Sequence, residues 1–139
     1  VGAAPGAYPN TTSGIMGNLG GRDVTGDPAS DTLFVAAVPQ ISKSFAPSTV
    51  VPGDSVTLEF TITNPSATST MTGIAFEDDL DLFVPSALPT TPCGSGSSLF
   101  PSFQQGRLLL SLIGGNLDPG ASCTFSVAIS ASRAGGTSL

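Results

Sequence analysis

From Val56 to Thr63 the chain alternates without a break: Val56, Leu58, Phe60 and Ile62 are apolar, while Thr57, Glu59, Thr61 and Thr63 are polar. Period two sends successive side chains to opposite faces, so this run predicts a strand with one face buried. Pro52-Gly53-Asp54 opens it and Asn64-Pro65 closes it, which places turn chemistry at both ends. Ser122 to Ser132 repeats the pattern, with Cys123, Phe125, Val127 and Ile129 inward and Thr124, Ser126, Ala128 and Ser130 outward. Burial of a large apolar side chain contributes about 1.5–3 kcal/mol before chain entropy is subtracted, so these two faces are the natural centre of a core.

Weaker patterns give the remaining elements. Extended segments are predicted at Ala7 to Met16, Asp31 to Val38, Ile41 to Ala46, Ile74 to Phe76 and Leu82 to Val84. Ser98 to Phe103 and Arg107 to Ile113 read as a hairpin across Gln104-Gln105-Gly106. Residues 17–30 hold Gly17, Gly20, Gly21, Gly26 and Pro28 and read as an irregular loop; residues 85–98 read as a second loop, and Asn116 to Gly120 as a turn. Ile41, Lys43 and Phe45 share one face, and a Lys among apolar residues predicts a sheet edge with its ammonium in water. No stretch sustains helical spacing; the nearest, Leu108 to Ile113, stops at Gly114-Gly115. The prediction is an all-β, immunoglobulin-like antiparallel sandwich of about seven to nine strands. The Cys…Trp…Cys spacing of antibody domains is absent, since the chain has no Trp.

Composition narrows the function. A chain of 139 residues is the size of one domain. Its net charge is −6, and its basic residues are scattered at Arg22, Lys43, Arg107 and Arg133. Nothing there neutralises a phosphate backbone or an anionic membrane surface. No apolar run reaches the ~18–20 residues of a membrane-spanning helix. The first residue is Val1, so the sequence is expected to be a processed chain or a segment of a longer one. Cys93 and Cys123 form no C-x-x-C pair and there is no His to complete a metal site. They read as one disulfide in an oxidising compartment, the alternative being two buried thiols.

Catalysis finds little support in the residues. There is no His base, no G-x-S-x-G and no phosphate-binding Gly pattern, so no enzyme activity and no cofactor are expected. Asp78 and Asp79 are neighbours that point apart in a strand, which does not suit glycoside hydrolysis. Glu77, Asp78, Asp79 and Asp81 are calcium candidates by charge, without EF-hand spacing, and compete with the plainer reading of a solvated acidic loop. Asp23, Asp27 and Asp31 form a weaker cluster of the same kind. Lys43 is the one Lys and a conceivable isopeptide donor. Asn10-Thr11-Thr12 is a glycosylation sequon that also reads as a turn.

Three runs in order carry a resemblance. I-S-K-S-F-A-P-S-T-V-V-P-G-D-S-V-T-L-E-F-T-I-T-N-P, M-T-G-I-A-F-E-D-D-L and, after C-G-S-G, L-D-P-G-A-S-C-T-F-S-V resemble the conserved-repeat domain of bacterial surface proteins over about residues 40–132. The resemblance implies immunoglobulin-like modules strung in tandem on secreted or wall-attached chains. Such a module ends in pieces resembling G-A-Y-P-N-T-T-S-G-I and P-A-S-D-T-L-F-V, which here open the chain, at Gly6 to Ile15 and Pro28 to Val35. The register is therefore permuted. Residues 1–38 are expected to be an extended donor segment completing a sandwich formed by residues 39–139, of a neighbour or of its own chain. Tyr8, Thr12, Ile15, Leu33, Phe34 and Val35 are the strand residues expected between subunits. The implied function is an extracellular, cell-surface structural filament or stalk whose partners are copies of itself, joined head to tail. The alternative is a monomeric adhesin-like module that recognises a glycan or surface partner through loops 17–30 and 85–98.

Overall fold

The computed structural model describes residues 3–80 and 83–131. The chain divides into two compact units, Val1–Ala37 and Val38–Leu139. In the first, β1 (Gly6–Thr11) and β2 (Met16–Leu19) are followed by β3 (Arg22–Thr25) and β4 (Ser30–Val35). β1 and β4 pair antiparallel, from Gly6 opposite Val35 to Thr11 opposite Ser30. Beyond them the Thr12 amide donates to the Ala29 carbonyl at 2.9 Å, and the Ala29 amide donates to Thr12 Oγ1 at 3.0 Å.

β2 and β3 correct the sequence reading. Residues 17–30 are not an irregular loop, and the strand expected over Ala7 to Met16 ends at Thr11. Leu19 faces Arg22 across a two-residue turn in which Gly20 and Gly21 have φ of +56° and +82°. Positive φ at both positions suits the right-handed twist of the flanking strands, and glycine adopts it without a Cβ clash. Asn18 Oδ1 accepts from the Gly21 amide at 3.0 Å and the Asn18 amide group donates to Asp23 at 3.0 Å, closing the same turn.

The second unit is an immunoglobulin-like sandwich. Its strands are β5 (Gln40–Ala46), β6 (Ser55–Thr63), β7 (Met71–Asp79), β8 (Phe83–Ala87), β9 (Ser98–Gln104), β10 (Arg107–Leu117) and β11 (Ser122–Ala131). One sheet has the order β5-β6-β11-β8 and the other β7-β10-β9, all antiparallel. The first order matches the A-B-E-D sheet of immunoglobulin domains. Eleven strands in all are assigned among the described residues and no helix, two strands more than the upper expectation because of the β2–β3 hairpin. β8 starts in the extended segment expected at Leu82 to Val84 and runs on into the expected loop, and β10 continues past its expected end at Ile113 to Leu117, with the expected turn following at Pro119-Gly120. It does so past an irregularity at Gly114, whose φ is +70° and where a Cβ would sit 2.6 Å from the Gly96 carbonyl oxygen. Only glycine lets the two backbones approach that closely.

The core is the one the alternation predicted. Val56, Leu58, Phe60 and Ile62 of β6 and Phe125, Val127 and Ile129 of β11 meet Leu110, Leu112 and Leu117 of β10. The Phe60 ring packs against Phe76 at 5.0 Å and against Phe125 at 5.4 Å between centroids. Asn64, fully buried, donates to the carbonyls of Ser69, Leu117 and Asp118 and accepts from the Ser66 amide, so it ties the end of β6 to the β10–β11 connection. Cys93 and Cys123 form a disulfide with 5.4 Å between Cα atoms. It fastens the 85–98 segment to β11. Ser97 Oγ accepts from the Cys93 amide and donates to Gly94 O, which orders the segment further.

Candidate functional site

Lys43 sits at an edge strand, as expected, but does not simply reach water. Its ammonium bonds both oxygens of Asp78, at 2.7 and 2.8 Å, and lies 5.3 Å from the Phe45 ring centroid and 5.9 Å from that of Phe60. β5 and β7 belong to different sheets, so this pair straddles one side of the sandwich. An ammonium over ring faces gains from the ring quadrupole as well as from the carboxylate. The isopeptide idea finds Lys43 engaged as an ion with Asp78, with no Asn among its bonded partners.

That side of the sandwich is open. Ile41, Lys43 and Phe45 are directly opposite Ile62, Phe60 and Leu58. Residues directly opposed across a ladder share a face, so these three side chains belong to the core-facing side of their sheet. Yet Ile41 is 54% exposed and Phe45 37%, while Ile62, Phe60 and Leu58 are buried. The cause is a difference in width. Among the described residues four strands face three, and the narrower sheet stops at β7.

The acidic run separates along β7. Asp78 turns to Lys43, Asp79 pairs with Arg107, and Glu77 accepts from Gln104 Nε2 at 2.9 Å and from Ser111 Oγ at 3.4 Å. Asp81 lies outside the described residues. Alternation along a strand points neighbouring carboxylates apart, and each described one has a partner of its own. Among the described residues no group of three ligand-type side chains is placed to hold a metal. In the first unit Asp23 bonds Asn18 and Asp31 accepts from the Thr32 amide.

The strand candidates of the first unit fall on two faces. Tyr8 is opposite Leu33 and Gly6 opposite Val35, so Tyr8, Leu33 and Val35 share one face; Ala7 opposite Phe34 marks the other. Leu33 is 68% exposed, Phe34 75% and Ile15 73%. No described residue of this unit is buried. Thr12 holds the hairpin closed, and Ile15 accepts from the Gly26 amide through its carbonyl. The sequence reading missed a further detail: the Tyr8 hydroxyl donates to the Ala4 carbonyl at 2.7 Å. A strand-entry Tyr bonded to backbone a few residues upstream resembles the tyrosine corner of immunoglobulin-type sandwiches, with Asn10 where antibody domains have the second Cys. The signal was present in G-A-Y, a Tyr just inside a strand.

A shallow groove of about 500 Å³ runs over the outer face of the three-stranded sheet, lined by Phe100, Glu77, Ser102, Gln104, Ser111 and Ile113 among others. Of the two segments that the binding alternative uses, 85–98 is tied to β11 by the disulfide, and 17–30 contains the β2–β3 hairpin.

The architecture defines a two-sheet, immunoglobulin-like β protein closed by one disulfide. Residues 39–138, well over half of the chain, match the family described as a domain of unknown function, DUF7933, and the chain belongs to that family. Comparison with curated proteins and with solved structures finds no match.

Proposed function

We propose that the protein is a structural subunit or repeat of an extracellular filament or surface stalk of the bacterial type that the sequence resembles, joined head to tail by strand complementation. What carries the reading is the first unit, bearing Ile15, Met16, Leu19, Leu33 and Phe34, in which no described residue is buried. A two-stranded ribbon without a covered face is marginal in water, and contiguous exposed apolar surface marks an interaction site. The second unit supplies the matching defect, a sandwich open between β5 and β7. A disulfide, and no helix among the described residues long and apolar enough to cross a membrane, are compatible with a secreted protein. The Thr and Ser rows on the strand faces, such as Thr61 with Thr124 and Thr63 with Ser122, suit an inert exposed wall.

Light scattering and negative-stain microscopy over a concentration series test this reading. Elongated particles that lengthen with concentration are expected. Monodisperse 13.8 kDa globules at millimolar protein would overturn it. Intact mass under denaturing, unreduced conditions separates subunits from a tandem polypeptide. A second reading, a sugar-binding module, draws on the outer groove. There Phe100 offers an apolar ring, and Glu77 and Gln104 offer polar groups beside it. A monomer that binds a glycan at micromolar concentration would favour it.

A further inference from the structure

Resting on that assembly reading, we propose that the β1–β4 hairpin of one copy adds to the free edge of β7 in a second copy. Its Tyr8–Leu33–Val35 face then lies over Ile41 and Phe45. The hairpin supplies the strands that the three-stranded sheet lacks.

The edges of the second unit are not equivalent. They are β5 and β8 in one sheet and β7 and β9 in the other. β8 carries Pro85 and β9 carries Pro101, whereas β5 and β7 carry no Pro. Proline on an edge strand blocks an incoming ladder because it has no N–H to give. In β9 the block points outward. The Leu80 amide donates to Leu108 O at 2.8 Å, which sets the alternation along β10 and leaves Pro101, opposite Leu110, with its nitrogen on the free side. The same alternation turns the backbone groups of Ala75, Glu77 and Asp79 to the free side of β7, away from β10.

Of the two unguarded edges, β7 is the one that closes the sandwich. A strand added beside β5 would widen the sheet that is already wider and leave Ile41 bare. A strand added beside β7 lies across from β5 and covers Ile41, the more exposed of the core-facing apolar side chains there. In immunoglobulin sandwiches the A-B-E-D sheet faces a sheet in which strand C is flanked by F and then G, and the tyrosine corner is made at the start of F. Here β5-β6-β11-β8 takes the first role and β7 the place of C, with no strand of its own unit on its outer side among the described residues. The hairpin that bears a Tyr bonded to backbone upstream, as in a tyrosine corner, and one apolar face is β1–β4. On the assembly reading, the hairpin that adds to the β7 edge comes from a second copy.

The test uses the full chain. Ala75→Pro removes a donor from the free side of β7 alone, at an exposed side chain; Phe103→Pro makes the same change on the free side of β9. Ala75→Pro is expected to weaken self-association about tenfold or more, and Phe103→Pro to leave it within about twofold. A third variant, Leu33→Cys with Ile41→Cys, reads the same contact independently: oxidation is expected to give a ladder of covalent multimers on a non-reducing gel. If the unmodified chain stays monomeric, the assembly reading falls. If it assembles and Ala75→Pro assembles equally well, or Phe103→Pro is the variant that fails, assembly stands and the β7 edge is the wrong one. A Leu33→Cys/Ile41→Cys disulfide formed within single chains assigns the hairpin to its own sandwich and overturns the second-copy occupant.

Discussion

The β1–β4 ribbon and the β6–β11 pair are both antiparallel, both register-perfect and of similar chemistry, yet they have opposite relations to water. In β6 and β11 every second side chain is buried against β10 and the Phe60–Phe76–Phe125 cluster. In β1 and β4 the ladder is as regular, but Leu33 and Phe34 stand largely exposed. Backbone pairing is thus satisfied in both regions and apolar burial in one. Because net stability comes mainly from burial, the second unit has a core to hold it and the first leaves its apolar side chains to the solvent.

Substitutions that separate the two regions sharpen the contrast. The largest expected effect is at Phe60, which is buried and touches two other rings: Phe60→Ala should lower the unfolding free energy by about 3–5 kcal/mol, measured by denaturant titration. A loss below about 1 kcal/mol would mean the core is not where the alternation put it. Next comes the disulfide, whose partners are 30 residues apart: changing Cys93 and Cys123 together to Ala should remove about 3–4 kcal/mol on the chain-entropy view. The smallest effect belongs to the first unit. Leu33→Ser should change the unfolding of the isolated chain by less than about 0.5 kcal/mol, as expected for a surface position, and yet impair assembly measured by light scattering. A large destabilisation of the monomer by Leu33→Ser would break the comparison, because it would show that the ribbon already has a cover.

Much of this was legible in advance for a simple reason. Period-two alternation is written in consecutive residues, so Val56 to Thr63 and Ser122 to Ser132 announced their faces and their place in the core. The Gln105-Gly106 turn was readable for the same reason: the residues that decide it are adjacent. Gly20-Gly21 was equally local, but its flanks, Met16 to Leu19 and Arg22 to Thr25, lack alternation and have no buried face to enforce one. The partner of Lys43 was not legible, since Asp78 lies 35 residues away on the opposite sheet. Nor was the separation of Glu77, Asp78 and Asp79 onto three different partners, which depends on what each face of β7 meets.

The sequence by itself determined most of the strands, β2 and β3 excepted, which of their faces are apolar, and where the cysteines and prolines fall, because each of these is a property of near neighbours along the chain. Which strands share a sheet was decided only in three dimensions. So was the mismatch of four strands against three that leaves Ile41 and Phe45 on a core face without a full cover. Sheet order is fixed by competition among distant surfaces for burial, and that competition is settled by packing, not by any local pattern.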